Sequence, residues 1–221
     1  MIKYIGIVDS GLGGYDIYQY LNKTIKENYL LYLDYKNNPY GSKSKEEHLK
    51  IIDQIITFLN NYKLKYLIIA CNTLSNYLSY FKAKLKIPII DIINPTIQYI
   101  NKKYDLKKIK LLATKTTIDN KKYQKNLVAY IEPILIENLV SLIENNDINN
   151  IRIALNNHFI NIKNNNILLG CTHYPIIKNE FKRLKPKKIL DSRKALKYYL
   201  KHNFEIINYK KQIVIINKSD N

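Results

Sequence analysis

The sequence predicts an α/β protein built on mainly parallel strands. Three observations carry this: short apolar runs recur along the whole chain, stretches of helix length separate them, and each run is almost continuously hydrophobic. Strands buried on one face would alternate; strands covered on both faces read as unbroken runs. Strand and helix taking turns in this way implies right-handed crossovers.

The expected strands are YIGIV (4–8), YLLYLD (29–34), KYLIIA (65–70), IPIID (87–91), KIKLLA (108–113), NILLG (166–170), KKILD (187–191) and QIVII (212–216). Between them, helices are expected near 14–26, 44–61, 73–84, from Asn94-Pro95 onward, and near 117–129, 147–160, 175–183 and 192–202. The helix at 44 opens with Ser44 and has Glu47 three residues later, the signature of a capping box. Pro95 suits a first helical turn, where its missing N–H costs nothing.

A chain of 221 residues and 26.1 kDa can bury one sizeable core or two small ones. With 46% hydrophobic and 24% charged residues it is expected to be globular. Two cysteines make no disulfide framework, and MIKYIGIVDSG runs into a strand-turn pattern too soon for a signal peptide. No window holds eighteen apolar residues, so no membrane partner is expected and the default compartment is the cytoplasm.

Lys and Arg number 36 against 18 Asp and Glu, a net charge of +18. A nucleic-acid surface is one reading. However, the Lys residues are scattered rather than blocked, and Lys, Asn, Ile and Tyr crowd every segment. That pattern points to compositional drift toward residues with A/T-rich codons. His48, His158 and His202 lie in helix-like polar contexts and read as surface residues. The 20 Tyr read as packing residues with wet hydroxyls.

Parallel sheets bind ligands just beyond the carboxyl ends of their strands. Asp9 and Ser10 follow the first run, Cys71-Asn72-Thr73 the third, Thr114 the fifth, and Cys171-Thr172-His173 the sixth. A thiol at the start of a helix is acidified by unpaired N–H groups. Asn72, Thr73 and Thr172 could hold a carboxylate with neutral donors. A lone cysteine is usually buried filler. Two in matching settings, one hundred residues apart, are better read as a working pair. Two Cys and a nearby His fall short of four ligands, so no metal site is expected. Cys171 and His173 also permit a Cys–His hydrolase, although that leaves Cys71 unexplained. DSGLGG (9–14) is a tight strand-to-helix turn and not a nucleotide loop, and NPYGSKS (38–44) is turn chemistry.

DSGLGG, PYG (39–41), ACNT (70–73), ATKTTI (113–118), LIE (142–144) and GCTHYP (170–175) occur in one order, and the chain resembles the glutamate racemases of the aspartate/glutamate racemase superfamily. The resemblance spans Ile5 to about Asp220; the paired cysteine motifs with DSGLGG are its specific part, and LIE its weakest. It implies two similar α/β domains with an active-site cleft between them, the first comprising 1–93 plus 204–221 and the second 94–203. It implies interconversion of L- and D-glutamate without a cofactor, supplying D-glutamate for peptidoglycan. Inversion at Cα then needs one base on each face, and the resemblance assigns these to Cys71, assisted by Asp9, and Cys171, assisted by His173. It carries substrate binding to Ser10, Pro39, Tyr40, Gly41, Asn72, Thr73, Thr117 and Thr172, with Glu144 as a further acid. The partner would be glutamate itself, with a homodimer as an option. Several departures are visible: Asn37 stands where the family places Arg, Arg193 replaces the Gly of a second DSG, and the stretch between ATKTTI and LIE is compressed. An aspartate racemase, or a basic nucleic-acid binder on a racemase scaffold, are the alternatives.

Overall fold

The computed structural model describes residues 2–209 and 212–218, side chains excepted at Lys218. Among these residues nine strands form two sheets. They are β1 (Tyr4–Asp9), β2 (Tyr29–Leu33), β3 (Leu64–Ile69), β4 (Ile89–Asp91), β5 (Lys108–Ala113), β6 (Tyr130–Ile134), β7 (Asn166–Gly170), β8 (Lys188–Asp191) and β9 (Val214–Lys218). One sheet has the order β4-β3-β1-β2-β9 and the other β6-β5-β7-β8. Every pairing is parallel. The expected α/β class is therefore observed, with helices supplying the crossovers. All five residues of β2 are buried, as its unbroken run YLLYL requires.

The two sheets repeat one plan. With the added β9 set aside, the first four strands lie in the order 2-1-3-4, and so do the second four. In each half the first and third strands are neighbours whose connections leave toward opposite edges of the sheet. That junction is where a parallel sheet opens a crevice at its carboxyl ends. Cys71 follows the third strand of one half and Cys171 the third strand of the other. The repeat also extends beyond the thiols. Each cysteine is succeeded by a 3₁₀ turn, Leu74–Tyr77 or Tyr174–Ile177, that runs into a short α-helix, Leu78–Lys84 or Lys178–Arg183.

Several elements depart from the sequence reading. β6 was not expected, because Glu132 and Pro133 interrupt its apolar pattern. It pairs only with β5, and an edge strand tolerates the missing N–H of proline. The helix expected over 117–129 is two short ones, Lys115–Asn120 and Lys122–Asn126, joined at Lys121 with φ 59°. The helix Leu139–Glu144 was visible in the sequence only as the LIE motif. By contrast, Lys45–Leu59 forms with its capping box intact: Ser44 Oγ accepts from the Glu47 N–H, and Glu47 accepts from the Ser44 N–H.

His48 is a correction. It is fully buried, not a surface residue. It precedes Ile51, Ile52 and Ile55 at helical spacing and so lies on the buried face of its helix. Its ring nitrogens meet the Tyr40 carbonyl at 2.7 Å and the Tyr77 hydroxyl at 2.8 Å, and burial pushes its pKa down. His158 is half-buried, and His202 is exposed and stacked on Tyr198. No helix among the described residues is long and apolar enough to cross a membrane.

Candidate active site

The two crevices face each other and close on a shared cavity. Its lining comes from both halves: Ser10, Pro39, Tyr40, Gly41, Cys71, Asn72 and Thr73 from one, Thr114, Val140, Cys171, Thr172 and His173 from the other. Both sulfurs are reduced and nearly buried. The cavity measures about 10 Å³, the room of one water at most. The halves are thus closed on each other. Pro39 also lines a larger recess of about 570 Å³, bordered by Leu12, Tyr35 and Glu144, which opens toward solvent.

The glycines of DSGLGG set how close the halves come. A Cβ at Gly11 would fall closer than 3.0 Å to the Glu144 carboxylate, and one at Gly13 closer than 3.0 Å to Thr172. Gly11 has φ 172°, extended backbone open to any residue. The requirement there is space.

Asp9 lies beneath the cavity rather than on its wall. Its carboxylate accepts from the Gly14 N–H at 2.6 Å and from the Thr172 hydroxyl at 3.2 Å. Complete burial raises its pKa to about 6, against the opposing pull of His173 and of these donors. Burial, and then the Asp9 charge, push the Cys71 thiol well above its ordinary value, while the N–H groups of Leu74 and Thr73 work the other way. Asp9 therefore reaches Cys71 through its charge, and its hydrogen bonds go to Gly14 in its own half and to Thr172 in the opposite one.

On the other side, His173 Nδ1 stands 3.8 Å from Cys171 Sγ and Nε2 stands 2.6 Å from Glu144 Oε1. Burial would lower the histidine pKa; the sulfur and the carboxylate overcome this and raise it to about 10. Glu144 Oε1 also accepts from the Leu12 N–H at 2.9 Å and from Asn38 Nδ2 at 2.7 Å. The acid of the weak LIE motif is thus the partner of the histidine.

Supporting contacts fix the remaining groups. Tyr40 donates to Asp34 at 2.7 Å, and Asn37 Nδ2 spans both oxygens of Asp34 at 3.0 and 2.9 Å. Asn37 in this way fills the position of the family's arginine with a neutral donor. Thr114 Oγ1 lies 3.1 Å from both Thr73 Oγ1 and Thr117 Oγ1. Thr117 is buried behind Thr114, which lines the cavity in its stead. Val140 is a wall residue that the sequence did not point to; Thr114 lies on the wall as its place after a strand's carboxyl end suggests, although the resemblance assigns substrate binding to Thr117. Among the described residues neither Lys nor Arg lines the cavity. Among the described residues no His, Cys, Asp and Glu cluster is arranged to hold a metal ion.

A duplicated parallel α/β fold that brings one thiol from each half into a shared cleft places the protein in the class of two-domain α/β proteins with a site between their halves. Residues 5–197 match the model of the Asp/Glu/hydantoin racemase family. The glutamate racemase of Fusobacterium nucleatum subsp. nucleatum is 34% identical over 200 residues, 85% of this chain and 75% of the relative. The crystal structure of glutamate racemase from Campylobacter jejuni subsp. jejuni superposes with a TM-score of 0.89 at 28% identity, over 99% of this chain and 93% of that one. Glutamate racemase from Francisella tularensis subsp. tularensis SCHU S4, in complex with D-glutamate, superposes with a TM-score of 0.81 at 27% identity, over 99% and 88%. The chain belongs to the Asp/Glu/hydantoin racemase family of amino-acid racemases, which are isomerases.

Proposed function

We propose that this protein is a cytoplasmic, cofactor-independent glutamate racemase supplying D-glutamate for peptidoglycan. The observation that carries the reading is the convergence of Cys71 and Cys171, from equivalent strand ends of two repeated halves, on one cavity. Inverting Cα in place requires a proton taken from one face and another delivered to the opposite face. A thiolate and a thiol on opposite sides supply both, and they exchange roles when the reaction reverses.

The charges support such a pair. Burial and Asp9 keep the Cys71 thiol protonated. His173 Nδ1 lies 3.8 Å from the Cys171 sulfur, placed to exchange a proton with it. Cys171 would therefore abstract the first proton and Cys71 would deliver one. The carbanion is held by its α-carboxylate, for which Ser10, Asn72, Thr73 and Thr172 offer neutral donors in a cavity that excludes water. Glutamate does not fit a cavity of about 10 Å³, so the halves separate to admit it and close around it. In this reading residues 1–93 with 204–221 and residues 94–203 are the bodies that move.

Solvent deuterium tests the proposal. Wild-type protein in D₂O should incorporate deuterium at Cα of both D- and L-glutamate while equilibrating them, and far more slowly with aspartate. Cys71→Ser and Cys171→Ser should each lose exchange from one enantiomer preferentially, and from opposite ones. Full racemisation by either variant would refute the two-base assignment, and preference for aspartate would replace the substrate.

A further inference from the structure

Helix Lys122–Asn126 follows β5 of the four-stranded sheet, yet two of its residues reach across to the loop after Cys71. Lys122 Nζ donates to the Ser75 carbonyl at 2.6 Å. Tyr123, completely buried, donates its hydroxyl to Asn72 Oδ1 at 2.8 Å. Asn72 lines the cleft and is itself only 3% exposed. Its Nδ2 has no hydrogen-bond partner among the described residues. Buried amide donors almost always find acceptors. One left empty at a cleft wall is a place prepared for an acceptor that arrives with a ligand.

The Tyr123 bond decides which end of the amide faces the cleft. A phenol is a better donor than acceptor, so it holds the carbonyl end of Asn72 and leaves the amino end free. The opposite orientation would present a carbonyl oxygen to an incoming carboxylate and repel it. We propose that Tyr123 is a positioning residue, locking the Asn72 amide across the interface between the two halves so that its Nδ2 protons meet a carboxylate of the acidic substrate. Because the two residues come from different halves, closing the cleft sets the amide and opening it releases the amide. Ligand capture and domain closure thereby share one hydrogen bond. The ligand's identity rests on the racemase reading above; the cross-half bond and the unpartnered donor do not.

Three variants and two readouts test this. Tyr123→Phe removes the hydroxyl and is expected to lower kcat/KM about tenfold for both enantiomers of glutamate, mostly through KM. Asn72→Asp keeps an acceptor for Tyr123 but has no N–H donors, and should lower kcat/KM further. Adding Tyr123→Phe to Asn72→Asp should then change it by less than about twofold; full additivity would overturn the proposal and make Tyr123 a packing residue. Lys122→Met breaks the neighbouring cross-half bond without touching Asn72, and should leave KM within about twofold. An equal rise in KM there would show that helix docking, and not the amide, is what matters. The second readout needs no activity. The side-chain amide ¹⁵N–¹H signal of Asn72, assigned by its absence in Asn72→Asp, should move in Tyr123→Phe and hold in Lys122→Met. An unmoved signal in Tyr123→Phe overturns the proposal. A wild type inert toward glutamate and aspartate would sink the function instead, with the amide signal still deciding the inference.

Discussion

Glu144 Oε1 lies 2.6 Å from His173 Nε2 and accepts two more donors, the Leu12 N–H and Asn38 Nδ2, from the opposite half. One carboxylate oxygen therefore both charges the histidine beside Cys171 and ties the halves together. Burying an imidazolium is costly unless an anion meets it, and Glu144 with the Cys171 sulfur meets that cost.

Replacing Glu144 by Gln keeps the shape and removes the charge. Its effect on His173 has a definite sign. The folded pKa of about 10 exceeds the ordinary 6.5, so the histidine's contribution to stability is complete below pH 6.5 and is lost as pH rises through about 10. In Glu144→Gln that window narrows from its upper end. We expect the alkaline break in kcat/KM to move down by a unit or more, and the rate at pH 8 to fall about tenfold, in line with a lost charge-assisted hydrogen bond. A pH–rate profile unchanged above pH 7 would remove Glu144 from this role.

Asp9 sets the acid side. A carboxyl raised from 3.8 to about 6 contributes stability that is complete below pH 3.8 and lost as pH rises through about 6. Asp9→Asn should therefore gain on the wild type, by about 2 kcal/mol, between pH 4 and pH 7.5 in urea denaturation. The same variant should lose the acid break near pH 6 in kcat/KM, because the charge that acts on Cys71 is gone. A gap in stability that does not change with pH would contradict the buried carboxylate.

The glycine loop makes a steric prediction. Gly11→Ala sets a methyl against the Glu144 carboxylate, and Gly13→Ala sets one against Thr172, both closer than 3.0 Å. Neither side chain can retreat without breaking its own bonds to His173 or Asp9. Both variants should fold with unchanged far-UV circular dichroism and prop the cleft open. KM for glutamate should rise at least about tenfold, the scale of a lost buried hydrogen bond or of about 1.4 kcal/mol of closing energy. A KM within twofold of wild type would show that closure tolerates the methyl.

Much of this was legible in the chain because parallel strands advertise themselves as unbroken apolar runs and their carboxyl ends as abrupt polar residues. Cys71, Cys171, Asp9 and Ser10 were all found by that boundary. β6 escaped, since an edge strand buried on fewer sides can carry Glu132 and Pro133. His48 escaped because the charged residues Lys45, Glu46, Glu47 and Lys50 crowd it in sequence while its neighbours at helical spacing are isoleucines. The repeat of strand order could not be read either, because pairing depends on contacts far apart in sequence. That repeat is what accounts for the matching settings of the two cysteines. Thr114, rather than Thr117, on the cavity wall reflects which face of a single helical turn meets the cleft, a rotation that residue type does not reveal.

Arg193 carries the last prediction. It stands where the family resemblance would place a glycine, at the start of the helix Ser192–Asn203. Its guanidinium bonds Asp191 beside it and reaches Asp16 at 3.1 Å on the helix Leu12–Asn22 of the other half. The side chains of Arg193, Asp16 and Asp191 are 15%, 24% and 5% exposed, so the group is mostly shielded from water and salt. Tyr20 lies under the guanidinium at 5.6 Å. Removing one partner from such a group leaves its anions uncompensated, which costs more than an exposed ion pair is worth. Arg193→Gly should lower stability by about 2 kcal/mol. For a chain of this length that is a melting point lower by roughly 4–8 °C. The link between the halves is tested by a double-mutant cycle. If Arg193 acts through Asp16, Asp16→Asn should add little in the Arg193→Gly background, with a coupling above about 1 kcal/mol. Strict additivity would mean that the arginine serves Asp191 alone and that the other cross-half bonds, those of Glu144, Tyr123, Lys122 and Thr172 among them, hold the halves together without it.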